Sequence, residues 1–421
     1  MKGFKTRCAK LLLGGRCLST LGDSVYQLAI VWYMYELTQS PLFTGLTIAC
    51  MTVPNVFSFL FGPMIDRANK QFLLAHAQLI QAILMTVLPI SLLLGYEHVG
   101  LVLAVAFCIA FFENFQGTAE ISIAPQLVGK EDLGHFNSVL NGSSQVVNLL
   151  MTGLFSIVLV YLGIIQVYLF VAIAFFAAFL CFAFIRREGT NRKTSKNTKL
   201  MTPGKGYKKE LKEGFAYVKS TRLLIIMLPF VLANGLLSGV QAVLPDYAQT
   251  LGSTTYYGWL MFSISIGLVV GSLGSSLILR FPVGKLFVIL PFLTGILWLC
   301  SLLQQEMLLS FILFGLSFVP FGMMNIVFIT LVQQSVDSAL LSRVLSLCES
   351  ILVLSIPGGA LLGGFIASLL GPQLMMFASA AAFAIIGLFF LVHPFLRALP
   401  ALDELTLHEE SKTYERSEPT Y

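Results

Sequence analysis

Apolar positions in this chain come in long unbroken runs separated by short polar turns. Crossing a bilayer takes about 20 consecutive apolar residues. Twelve runs qualify, near 11–35, 41–65, 71–95, 99–123, 133–160, 163–185, 223–245, 256–279, 284–303, 307–331, 344–369 and 372–396. The longest polar interruption, 186–222, falls after the sixth run. The pattern predicts an all-α polytopic membrane protein of about twelve transmembrane helices in two six-helix bundles, 1–185 and 223–396. A basic linker at 186–222 joins them, and a tail follows at 397–421. In the linker, Leu211, Phe215 and Val218 share one helical face among lysines, which suits a short helix on an anionic lipid surface.

Composition removes the soluble classes. Of 421 residues, 57% are hydrophobic and 11% charged, whereas soluble domains are about 45–50% apolar and about 25% charged. The first run is full length and carries Arg16 and Asp23, so it is expected to remain as a span and not to be cleaved as a signal peptide. Glycine clusters at 267–274 and 358–364 read as close helix contacts. The seven cysteines stand singly and no two histidines are four apart, which argues against both a disulfide framework and a metal site. No G-x-x-x-x-G-K-[ST], H-E-x-x-H or G-x-S-x-G pattern occurs, so nothing points to an enzyme or a cofactor.

Charge then orients the chain. All 26 Lys and Arg fall on one side of the twelve-span scheme. The turns near Glu36, Glu97, Gly163, Gln249, Glu306 and Gly371 contain none. Basic loops face the cytoplasm, so both termini and the linker are expected there, in the cell (inner or plasma) membrane. The formal charge of +5 is loop charge and not a nucleic-acid signal.

Ionisable groups within lipid are expensive, at roughly 2.5–3.5 kcal/mol for a central charge, so their placement is informative. The first run carries Arg16, Thr20, Asp23 and Gln27 in one narrow arc. The fourth carries Glu113, Gln116 and Glu120 on one face, and the fifth Asn137, Asn141, Ser144 and Asn148. In the second half, Asn234, Ser238 and Gln241 mark the seventh run, and Ser342, Ser346 and Glu349 the eleventh. Such stripes on separate helices predict a shared polar cavity. Glu113, Asp23, Glu120 and Glu349 are its candidate proton-coupling acids. Gln27, Gln116, Asn148, Asn234 and Gln241 are its candidate polar lining. Arg16 and Glu120 also have a plainer reading as structural ion-pair partners.

The segment FGPMIDRANKQ, between the second and third runs, resembles the signature G-x-x-x-D-R-x-x-[RK]-[RK] of the major facilitator superfamily. Gly62, Asp66, Arg67 and Lys70 match it, and Gln71 stands where a second basic residue is common. The order Arg16 to Asp23 (RCLSTLGD), ELTQSP, Pro54, IAPQLVGKEDLGHFNSVL and SRVLSL…PGGALLGG is similar to the twelve-span drug-exporter branch that includes macrolide-efflux proteins. The fifth run, NLLMTGLFSIVL, lacks the Gly-Pro pair usual in drug/proton antiporters of that superfamily. The resemblance implies gating or structural ion pairs for Asp66, Arg67 and Lys70. It also implies peripheral positions for the third, sixth, ninth and twelfth helices, whose interiors carry no carboxylate.

Together these readings predict a secondary active transporter exporting amphipathic drugs or similar hydrophobic compounds by alternating access, driven by proton entry. Cavity acids outnumber Arg16, so cationic or neutral cargo is expected. Glu113 is the first candidate for proton coupling. It sits mid-span among Phe111, Phe112 and Phe115, about 10 Å from Glu120 along the helix. Asp23 is its nearest competitor, with Arg16 and Gln27 expected to keep it better solvated. The partners expected are a small amphipathic substrate, protons and membrane lipids, with no nucleic acid and no metal, and the chain is expected to act as a monomer. Two alternatives stand beside this reading: export of an endogenous product such as a peptide antibiotic, siderophore or lipid-like molecule, or a membrane receptor or scaffold without transport.

Overall fold

A computed structural model describes residues 7–57, 70–128, 133–185, 223–253, 255–336 and 338–401. Helices account for almost all of them, and no strand occurs among them. As far as they are described, the expected runs fall on helices: α1 (Arg7–Thr38), α2 (Pro41–Val56), α3 (Lys70–Leu93), α4 (Val99–Leu127), α5 (Leu133–Ala183), α6 (Leu223–Thr250), α7 (Thr255–Gly274), α8 (Val283–Leu302), α9 (Met307–Ser335), α10 (Ser338–Leu370) and α11 (Pro372–Val392), with a short α12 (Pro394–Arg397); the second run beyond residue 57 lies outside the described residues. The fifth and sixth runs share α5, which kinks at Gly163, where φ is 75°. That backbone region is open to glycine at little cost. Among the described residues, nine helical stretches are long and apolar enough to cross a membrane, and α2 is a shorter apolar helix.

Local chemistry sets several boundaries. Ser40 is extended and Pro41 opens α2, while Gly371 at φ 86° precedes Pro372 at the start of α11. Proline suits a first helical turn because its missing N–H would have no partner there. Prolines also lie inside α2, α3, α6, α8, α9 and α10. In a bilayer, neighbouring helices and hydroxyl side chains tolerate the break. The second limb of α5 shows why its sequence is apolar all round. Leu169, Ile173, Phe176 and Leu180 form an exposed stripe, while Tyr168, Val171, Phe175, Ala178 and Phe182 are buried behind it. A helix with lipid on one face and protein on the other needs no polar side.

The chain forms two compact units, Met1–Met201 with Ala248–Gly258, and Thr202–Tyr247 with Trp259–Tyr421. In the first, α1 lies along α5, and α3 packs on both α4 and α5. Gly15 seats the Phe182 ring and Gly22 the Phe175 ring; a Cβ on Gly22 would stand 2.6 Å from that ring. The turn after α6 belongs here too. The Tyr35 hydroxyl donates to Gln249 Oε1 at 2.6 Å, and the Tyr257 ring sits 5.5 Å from Trp32 and 6.1 Å from Phe155.

In the second unit, glycines let backbones touch. Gly235 and Gly239 on α6 meet Gly359 and Gly363 on α10, and Gly267 and Gly271 on α7 meet Gly315, Val319 and Gly322 on α9. These contacts use the glycine clusters singled out in the sequence. Buried rings fill the remainder. Trp298 packs against Phe314, Phe318 and Phe383, and Phe230 against Phe287, Phe328 and Phe390.

Candidate functional site

The densest buried polar chemistry lies in the first unit, where α1, α3, α4 and α5 meet. On α1, Arg16, Ser19 and Asp23 succeed one another at helical spacing. Arg16 Nη1 pairs with Glu120 Oε2 of α4 at 3.0 Å, and Arg16 Nε donates to Ser144 Oγ of α5 at 3.2 Å. Glu120 is almost fully enclosed, whereas the Arg16 side chain is 32% exposed. The pair therefore gives the arginine a partner and an open edge at once, and Glu120 Oε1 stays buried without a partner among the described residues.

One turn along, Ser19 is the hub. Its hydroxyl donates to Asp23 Oδ2 at 3.1 Å and accepts from Gln116 Nε2 at 2.7 Å and Gln78 Nε2 at 3.0 Å. Gln78 Nε2 also reaches Gln81 Oε1 at 2.8 Å and Gln116 Oε1, and Gln81 Nε2 donates to the Ile109 carbonyl at 3.3 Å. Ser19, Gln78, Gln81 and Gln116 are all fully or almost fully buried. Leaving a buried polar atom unpaired costs about 1–3 kcal/mol, so a connected network is the stable form for such groups. Two atoms stay outside it, Asp23 Oδ1 and Gln78 Oε1, both buried and unpartnered among the described residues. Asp23 is thus more enclosed than its polar neighbours in sequence suggest.

Glu113, three residues before Gln116, makes no hydrogen bond or ion pair with another described residue. Charges on Glu113 and Asp23 repel one another, and Arg16 attracts both. The rings of Phe111, Phe112 and Phe115 pack on one another beside it, at centroid distances of 5.2–6.5 Å. Arg16 itself is engaged with Glu120 and Ser144, so among the described residues neither Asp23 nor Glu113 has a cation in direct contact.

The structure therefore brings together Arg16, Asp23, Glu113, Gln116 and Glu120 of the predicted residues. Others stand apart from the network. Gln27 is exposed, and Asn148, also exposed, accepts from Thr152 Oγ1 at 3.1 Å. In the second unit, Asn234 donates to the Phe230 carbonyl of its own helix at 3.0 Å, while Gln241 and Glu349 are exposed. Gly62, Asp66 and Arg67, the side chains of Lys70, Ser342 and Ser346, and the linker 186–222 lie outside the described residues.

Sequence reasoning missed Ser19, Gln78 and Gln81. The signal was present: two carboxamides three residues apart in the apolar third run, and a serine one turn before Asp23. Judging that run by its lack of carboxylates hid it, because a buried carboxamide needs polar partners just as an acid does. No group of three or more His, Cys, Asp or Glu that could hold a metal occurs among the described residues.

Known proteins share this arrangement of helices. The chain is 23% identical to the multidrug efflux pump Tap of Mycolicibacterium fortuitum over 92% of its length and 96% of that protein's. It is 25% identical to macrolide efflux protein A of Streptococcus pyogenes over 85% of its length and 88% of that protein's. Among solved structures, a bacterial homolog of the human lysosomal transporter Spinster overlays with a TM-score of 0.71 at 13% identity, covering 99% of both chains. The nucleoside transporter NupG overlays at 0.69 with 14% identity, covering 95% of this chain and 100% of its own. Residues 12–351 match the family description of the Major Facilitator Superfamily, which makes this chain a multi-pass membrane transporter of that superfamily.

Proposed function

We propose that the protein exports cationic or neutral amphipathic compounds in exchange for protons, by alternating access between its two halves. The observation that carries this reading is the pair of mid-span acids. Glu113 has no hydrogen-bonding partner among the described residues, and Asp23 keeps one oxygen, Oδ1, buried and unbonded. An anion held in such a place is costly; taking up a proton removes that cost, and binding a cationic cargo removes it in another way. Competition between proton and cargo for the same acids is a minimal coupling device. The excess of Asp23, Glu113 and Glu120 over the single Arg16 supports cargo that is not anionic. The efflux names of the relatives from Mycolicibacterium fortuitum and Streptococcus pyogenes support export of drug-like molecules.

The test uses inverted vesicles, a panel of fluorescent amphiphiles and macrolides, and a proton gradient imposed and then collapsed. The unmodified protein should accumulate a cationic or neutral compound only while the gradient lasts. Glu113→Gln, which mimics the protonated acid, should still bind cargo and lose the gradient response. A full response in Glu113→Gln would reassign coupling to Asp23, and accumulation indifferent to the gradient in the unmodified protein would remove proton exchange altogether. The sidedness of the 26 basic residues supports cytoplasmic termini. Reporter fusions after Gln249 and Gly371 should read as external, and an internal signal at either would overturn the orientation.

A further inference from the structure

The carboxamide network around Asp23 can be wired in only one direction. The carbonyl oxygen of Ile109 can only accept, so the Gln81 atom facing it at 3.3 Å is Nε2, and Gln81 Oε1 faces Gln78. Gln78 must answer with its nitrogen, which lies in reach of Gln81 Oε1, Ser19 Oγ and Gln116 Oε1. Turned over, Gln78 would set its oxygen against two other oxygens. Gln116, with its oxygen toward Gln78, presents Nε2 to Ser19 Oγ at 2.7 Å. Gln78 has two N–H hydrogens for its three acceptors, so Ser19 always faces the Gln116 N–H and shares those of Gln78 with the two carboxamide oxygens. A hydroxyl has two lone pairs and one proton, and the Ser19 proton is directed to Asp23 Oδ2 at 3.1 Å. The orientation leaves Gln78 Oε1 buried with no donor, an outcome that follows from the demands of its neighbours and not from its own.

The geometry points to Gln81, Gln78, Gln116 and Ser19 as positioning residues that hold Asp23 Oδ2 as a permanent acceptor, so that proton exchange takes place at the unbonded Oδ1. This rests on the reading of Asp23 as a proton-exchanging acid. The other charged or titratable groups acting on Asp23 are Arg16 on its own helix and Glu113 and Glu120 on α4. Tyr26, also on α1, is engaged elsewhere, donating to the Ala106 carbonyl at 3.2 Å. A donor fixed on one carboxylate oxygen favours the anion, so the network tunes the pH at which the acid loads.

The full chain in lipid vesicles, followed by infrared difference spectroscopy across a pH series, reads this directly. The carbonyl band of protonated Asp23 is assigned by its loss in Asp23→Asn. In Ser19→Ala the band should appear at a pH about one unit higher than in the unmodified protein, since a hydrogen bond to a charged group is worth about that much. Gln78→Met should move it the same way by less, and it decides the matter if Ser19→Ala does not insert. Titration unchanged in both variants would overturn the assignment, as would absence of any Asp23-dependent band. A band that shifts as expected while vesicle transport ignores the proton gradient would remove the transport reading and leave this one standing.

Discussion

The two units bury different kinds of groups. In the first, three carboxamides and one carboxylate (Gln78, Gln81, Gln116 and Glu120) are enclosed and joined across α1, α3, α4 and α5. In the second, every buried polar residue among those described is a serine or threonine, and several simply return a hydrogen bond to their own helix. Ser301, Ser317 and Ser379 bond the Trp298, Phe314 and Met375 carbonyls. What binds helices there is close backbone approach at glycines and packed rings. In lipid no hydrophobic force draws helices together, so van der Waals contact and interhelical hydrogen bonds must do so. The second unit relies more on van der Waals contact and the first more on hydrogen bonds. The unit that relies on hydrogen bonds is also the one that encloses a carboxylate, Glu120.

Substitutions in each unit can break or sharpen that contrast. The largest effect is expected from Trp298→Ala, which empties the centre of the ring cluster in the second unit. It should cost roughly 3–5 kcal/mol in mixed-micelle unfolding, as large aromatic truncations do. A loss below about 1 kcal/mol would mean that ring packing does not hold that unit.

Next comes Gly359→Ala, whose new Cβ would run into the Gly235 backbone. Backbone cannot step aside as a side chain can, so a loss near the upper end of overpacking, about 3 kcal/mol, is expected. In the first unit, Glu120→Gln should cost roughly 2 kcal/mol, less than the rupture of a fully enclosed ion pair because Arg16 keeps an exposed edge. A loss that shrinks from low to high salt would confirm that the exposed edge of Arg16 opens the pair to solvent.

The smallest effects serve as controls. Gly358, adjacent to Gly359, has nothing within 4 Å of where a Cβ would stand. Gly358→Ala should therefore be neutral or stabilising by up to about 1 kcal/mol, through the helix preference of alanine. In the second unit, Glu349→Gln should leave gradient-driven flux within about twofold, a change of under ~0.5 kcal/mol. A loss as large as that of Glu113→Gln would end the idea that titratable chemistry is concentrated in one unit.

Much of this molecule could be read along the chain. Lipid accepts only segments that satisfy their own backbone hydrogen bonds, so each span has to announce itself as a continuous apolar run, and the described parts of the runs fall on helices. The turn at Gly163, the polar stripe of α1 and the acids of α4 were legible for the same reason, since helical spacing is a local property. The family signature around Asp66 was legible as a motif. Which groups meet was not legible. Arg16 finds Glu120 from 104 positions away, Gln78 finds Ser19 from 59, and Gly235 finds Gly359 across two different helices. A hydrogen bond tolerates a few tenths of an ångström, and a glycine contact not much more. Both depend on the rotation and height of each helix against its neighbours. Those are settled by the packing of whole helix faces at once, which is why the sequence named the helices and the acids, and only the tertiary structure decided that α3 would supply the carboxamides that hold one of them.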